Sequence, residues 1–274
     1  MKKHLVLVGA SGRMGRAITH CLRESKDESL DLVAAIGTET SPLLGQDMGE
    51  IAGGACIGVP LTSSLDQALS QADIVIDFTP AKALVSHLER YVQANVAVVT
   101  GSTGLTGEQM EKLQLAAKKL PLLWAANMSL GIQVLLDLLR QTTAAIGQEA
   151  DIEVIEAHHR NKVDAPSGTA KVLGETIANE LGLSLDDCAV YGREGNTGMR
   201  THQEIGFSTV RAGDIFGEHT ILFGLAGERI ELAHKASSRD CFAKGALHAA
   251  KWLSRQKNAG LYTMSDVLEI KNSI

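Results

Sequence analysis

The chain has 274 residues, of which 45% are hydrophobic and 21% charged, enough apolar content for a real core and too much for a disordered chain. Its formal net charge of −6 argues against a general nucleic-acid binder, which needs a broad basic face. Length favours two modest domains over one large one.

Cys21, Cys56, Cys188 and Cys241 are far apart and form no Cys-x-x-Cys pair. They read as reduced thiols of a cytoplasmic protein and not as a disulfide frame. The apolar run after Lys2 and Lys3 stops at Ser11, short of the roughly 7–15 apolar residues of a secretory core. No stretch approaches the roughly 20 residues of a membrane span, so neither export nor membrane insertion is expected.

In the first half, short apolar runs at residues 5–8, 32–36, 73–78, 96–100 and 122–125 alternate with helical spacing at 14–25, 64–71, 81–94 and 107–119. Continuous apolar strands alternating with helices predict a parallel sheet covered on both faces. Residues 1–127 are therefore expected to form a doubly wound α/β domain of the Rossmann type. Within it, VLVGASGRMGRAI is strand, glycine loop, helix, with Gly9, Gly12 and Gly15 letting backbone approach a pyrophosphate at a helix start. Ala10 stands where strict Gly-x-Gly-x-x-Gly spacing has its first glycine. The loops TGSTG (100–104) and AANMS (125–129) follow later strands and are small enough to admit a flat nicotinamide ring. Each, taken alone, also reads as an ordinary strand-to-helix turn.

From residue 128 the pattern changes. A helix at 129–147, a strand at 152–157, a helix at 168–182 and strand-like residues 205–235 predict an α+β domain with a mostly antiparallel sheet over 128–240. A hairpin turn is expected at Gly227, and a helix at 240–255 would begin the return of the chain to the first domain, completed by about 241–274. Hinges are expected near 127–130 and 236–241, with the domains closing on each other to exclude water.

Residues 156–170, EAHHRNKVDAPSGTA, gather His158, His159, Arg160 and Lys162 in an acidic chain. Adjacent histidines at a strand end point in opposite directions and suit a metal poorly, so no metal is expected. A solvated charged turn is the plain alternative. Against it, Ser167, Gly168 and Thr169 open a helix and offer N–H donors to an anion, which beside His159 and Lys162 suits a small dicarboxylate. Histidine is also the side chain best able to move a proton near neutral pH.

Together with GASGRMGR, DFT, TGSTG, AANMSLG, VRAGDIFGEHT and HKASSR, this run resembles the 4-hydroxy-tetrahydrodipicolinate (dihydrodipicolinate) reductase family of the diaminopimelate route to lysine. The resemblance implies a cytoplasmic homotetramer built through the second domain's sheet. It implies reduction of a cyclic pyridine-type dicarboxylate by NADH or NADPH. Gly9, Ala10, Ser11, Gly12, Arg13 and Met14 would hold the pyrophosphate. Gly101, Ser102, Thr103, Ala125, Ala126, Asn127 and Met128 would flank the nicotinamide. His158 matches the family's proton donor and Lys162 its partner, while His159, Gly168 and Thr169 match substrate contacts.

The chain departs from its relatives at Gly37 and Thr38, where many carry an acidic residue followed by arginine, and at Pro80, which follows DFT at once. From Ala34 to Gln46 the one charge is Glu39, suited to ribose hydroxyls, with Arg13 the cation left to compensate for an adenosine 2′-phosphate. NADH is therefore expected to serve at least as well as NADPH. Two other readings compete: a dehydrogenase of the aspartate-semialdehyde type, which needs a catalytic cysteine, and a non-catalytic dinucleotide sensor, which has no need of His158 and Lys162.

Overall fold

In the computed structural model, which describes residues 2–269, the first apolar run becomes strand β1 (Lys3–Val8) and the glycine loop leads into helix α1 (Arg13–Glu24). The chain continues through β2 (Leu30–Ile36), α2 (Met48–Ile51), β3 (Leu61–Thr62), α3 (Leu65–Leu69), β4 (Ile74–Asp77), α4 (Ala81–Ala94), β5 (Ala97–Thr100), α5 (Gly107–Ala117) and β6 (Pro121–Trp124). Next come α6 (Leu130–Ile146), β7 (Asp151–His158), α7 (Gly168–Glu180), α8 (Leu185–Cys188), β8 (Ala189–Tyr191), β9 (Ile205–Arg211), β10 (Glu218–Leu225) and β11 (Glu228–Lys235). Last are α9 (Asp240–Leu253), β12 (Gly260–Tyr262) and α10 (Met264–Val267). Two compact units result, dividing at Leu130 and again at Ser238, with the residues from Arg239 onward belonging to the first unit.

The first unit holds a seven-stranded parallel sheet in the order β12-β6-β5-β4-β1-β2-β3. Its strands are continuously apolar because alternate side chains serve two cores. Leu5, Leu7, Ile74 and Ile76 join one cluster with residues of α1 and α9, whereas Val6, Val8 and Val75 join another with residues of α4 and α5. The order reverses beside β1, so the loops after β1 and β4 border the crevice in which such sheets bind ligands.

The second unit holds a five-stranded mixed sheet, β11-β10-β7-β9-β8. The expected hairpin turns at Gly227 and pairs β10 with β11 antiparallel; β10 also runs antiparallel to β7. The β7–β9 and β8–β9 ladders are parallel, because α7 carries the chain back across the sheet after β7. On β7 the period of two sends Ile152, Val154, Glu156 and His158 to the covered face, where the apolar pair packs with residues of α6 and α7. Among the described residues no helix is long and apolar enough to cross a membrane.

Candidate active site

In the first unit the candidate residues are the glycine loop and its neighbours. Gly15 packs α1 against the loop so closely that a Cβ there would lie 2.1 Å from the Ala10 carbonyl oxygen. Ala10 itself is fully buried, so its methyl group feeds the core and leaves the loop's outer side open. A cleft of about 410 Å³ follows, lined by Gly9, Ser11 and Gly12 from the loop, Gly37, Thr38 and Glu39 after β2, and Thr79, His87 and Arg90 around α4. Arg13 is exposed, Arg16 donates to the Ser11 carbonyl at 2.9 Å, and the Met14 side chain packs partly against the core.

A buried carboxylate organises the loop after β4. Asp77, with no exposed surface, accepts from the Thr79 amide at 2.7 Å and hydroxyl at 2.6 Å, from the Tyr91 hydroxyl at 2.7 Å and from His87 Nδ1 at 3.1 Å. Ser102 donates to the Thr79 carbonyl at 2.5 Å, and Trp124 donates to the Ser102 carbonyl at 3.0 Å. The expected residues Gly101, Ser102 and Thr103 therefore sit on a loop tied to its neighbours. Of the other expected group, Ala125 and Met128 are buried in the core, leaving Ala126 exposed and Asn127 half-buried. Open backbone at a helix start, a close-packed Gly15 and a cleft edged by Glu39 fit a dinucleotide.

In the second unit a row of polar side chains crosses an otherwise apolar sheet face. Cross-strand pairing sets His234, His219, Glu156 and Thr209 side by side on β11, β10, β7 and β9, with His158 opposite Arg211 one step on. Glu156 is 1% exposed and is held from several sides. Arg211 grips it with two bonds of 2.8 Å, the Ser167 amide donates at 3.1 Å, and His158 Nδ1 lies 2.5 Å from its other oxygen. Burial pushes the Glu156 carboxyl up, but the bonds from Arg211 and His158 outweigh it and hold it below its ordinary range.

His158 is pulled below its ordinary value, first by burial and further by the charges of Lys162 and Arg211, while Glu156 opposes the shift. The carboxylate favours the Nδ1–H tautomer and leaves Nε2 as the ring nitrogen with a lone pair. Gly217, at φ +153, keeps that nitrogen open: a Cβ there would sit 3.0 Å from Nε2. Lys162 Nζ is bonded to both Asp164 oxygens, at 2.8 and 2.9 Å. His159 Nδ1 is buried with no hydrogen-bond partner among the described residues.

Ser167 caps α7, its hydroxyl accepting the Ala170 amide at 3.1 Å, and Gly168 and Thr169 form the first turn. His219 Nε2 meets the same hydroxyl at 3.0 Å while its Nδ1 is buried without a partner. An unpaired acceptor costs less than an unpaired N–H, so Nε2 carries the proton and donates to Ser167. Two donors then fill the Ser167 oxygen, and its own proton is free for an anion. Glu156, Arg211 and His219 were missed in the sequence. Their signal was an ionisable residue at an inward position of an alternating strand.

Comparison with known proteins decides the family. The dihydrodipicolinate reductase N-terminus model matches residues 3–128, and the C-terminus model matches residues 131–268. The chain belongs to the dihydrodipicolinate reductase family. It is 52% identical to the 4-hydroxy-tetrahydrodipicolinate reductase of Pseudoalteromonas atlantica, over 96% of this chain and 98% of that one. The reductase of the same name from Methylococcus capsulatus is 48% identical over 97% of each chain. The fold is shared with a dipicolinate-bound dihydrodipicolinate reductase from Paenisporosarcina, with a TM-score of 0.75 at 24% identity over 96% of this chain and 98% of that one.

Proposed function

We propose that in this chain His158 delivers the proton, and Lys162 the supporting charge, for reduction of 4-hydroxy-tetrahydrodipicolinate by way of its dehydrated form. The family membership makes the chain an NAD(P)H-dependent oxidoreductase of this substrate class, in the diaminopimelate route to lysine. The observation that carries the proposal is the Glu156–His158 pair beside the Ser167-capped helix.

The nicotinamide supplies the hydride when bound. One proton must then reach the electron-rich ring carbon of the anion that hydride addition leaves. His158 Nε2 is placed to give it, with Glu156 holding the imidazole and stabilising its charged form. A dicarboxylate brings two negative charges to a histidine whose proton affinity burial has lowered, and so raises that affinity as the substrate arrives. Lys162, released from Asp164, would meet one carboxylate or the developing charge. His159, the Ser167 hydroxyl and the first-turn amides of Gly168 and Thr169 would hold the other. The first unit would bind the cofactor through Gly9 to Met14, Glu39 and the loops at 101–103 and 125–128.

We also propose a cytoplasmic homotetramer assembled through the second unit's sheet. On the face away from α6 and α7, Ile155 is 37% exposed and Val210 45% exposed, on the neighbouring strands β7 and β9. Cys21, Cys56, Cys188 and Cys241 form no disulfide among the described residues, which fits a reducing compartment. The test of the activity is oxidation of reduced nicotinamide with substrate generated in place by the preceding synthase. An inert chain would support the sensor reading. For the assembly it is sedimentation: Ile155→Glu with Val210→Glu should give smaller species than the parent chain, and an unchanged mass would remove this face from the interface.

A further inference from the structure

The cofactor cleft of the first unit is lined by Glu39 from the end of β2 and by Ala83, His87 and Arg90 from α4. Positions 83, 87 and 90 lie on one helix face, so the two basic side chains stand together. No Lys or Arg lies between Ala34 and Gln46, where a cation for an adenosine 2′-phosphate is ordinarily found. Arg90 is half exposed, and its one ion pair among the described residues is a single contact of 3.6 Å to Asp66 Oδ1, whose side chain is 75% exposed. Such a pair is readily exchanged for a doubly charged phosphate. His87 is held more firmly: Asp77 takes its Nδ1, so only Nε2 is left for a ligand.

We propose that Arg90, backed by His87, is the residue of this chain that meets the 2′-phosphate of NADPH, while Glu39 takes the ribose hydroxyls of NADH. One cleft then serves both cofactors from different walls, and Arg13, exposed on the glycine loop, has no selective part. The proposal rests on the cleft holding the adenosine half of the cofactor.

The test is equilibrium binding to the free enzyme, by calorimetry, of NADPH, NADH, adenosine 2′,5′-bisphosphate and 5′-AMP. Arg90→Gln should weaken NADPH and the bisphosphate about tenfold, the scale of one charge-assisted phosphate contact, and leave NADH and 5′-AMP within about twofold. Asp66→Asn, which frees Arg90, should strengthen the two phosphorylated ligands, and Glu39→Gln should weaken NADH selectively. Equal effects of Arg90→Gln on both classes, no effect on either, or a selective loss in Arg13→Gln in its place would overturn the proposal. Thr38→Trp, which fills the cleft, separates the underlying reading. Loss of all four ligands keeps the cleft as the adenosine site, and undiminished binding removes both that site and the proposal.

Discussion

Glu156 Oε2 lies 2.5 Å from His158 Nδ1, and Arg211 donates to both oxygens of the same carboxylate. The carboxylate is thus shared between a permanent cation and an imidazole that changes charge. Arg211 keeps Glu156 ionised inside the protein, and Glu156 keeps His158 oriented and ready to be charged. Without Glu156, the nearest strong charges felt by His158 would be Lys162 and Arg211, and both oppose protonation.

Glu156→Gln should therefore move the alkaline limb of the kcat profile to lower pH. It should also lower kcat near neutrality by roughly 10–10²-fold, less than loss of the acid itself. Glu156→Asp, which keeps the charge, should restore part of the limb. If the limb stays in place in Glu156→Gln while only thermal stability falls, Glu156 is a structural residue and nothing more.

Asp164 holds Lys162, so it competes with any incoming carboxylate. Asp164→Asn should tighten dipicolinate binding several-fold, in line with the modest worth of a partly exposed ion pair. Lys162→Met should weaken it. Isothermal titration measures both, and weaker binding in Asp164→Asn would mean that Asp164 positions Lys162 for the ligand.

His219 is 3% exposed, and burial, followed by the charge of His158, pulls its pKa down to about 4. The unfolded chain, titrating near its ordinary 6.5, takes up a proton that the folded chain refuses. The stability tied to neutral His219 is thus fully present above about pH 6.5 and is lost as pH falls through about 4. His219→Gln keeps a donor for Ser167 but cannot be charged. Its urea midpoint should fall less than the parent's between about pH 7.5 and about pH 4.5. Equal falls would place the acid sensitivity elsewhere.

Much of this was legible in the sequence. The continuous aliphatic runs announced a parallel sheet because both faces are buried, and the glycine spacing located the loop because Gly15 has no room for a Cβ. His158, His159, Lys162 and the Ser167 cap stood in one run. Glu156 stood in that run too, but its role depends on Arg211 and His219, which come from β9 and β10, more than 50 residues away in sequence. The pairing register, not any local pattern, brings them together. The short elements α2, β3, α8, β8, β12 and α10 escaped notice because two to four residues carry too little periodicity to register. The mixed character of the second sheet was likewise hidden, since strand direction follows from the α7 crossover and leaves no mark on composition.

The central claim is that His158, assisted by Lys162, supplies the proton for a nicotinamide-dependent reduction of a cyclic dicarboxylate. Its most direct test is kcat for reduced-nicotinamide oxidation, with synthase-generated substrate, in the parent chain, His158→Ala, Lys162→Ala and His159→Ala. The account predicts turnover in the parent chain, a loss in kcat of about 10²–10⁴-fold in each of the first two variants, and chiefly a raised KM in the third. Near-normal kcat in both His158→Ala and Lys162→Ala would contradict it.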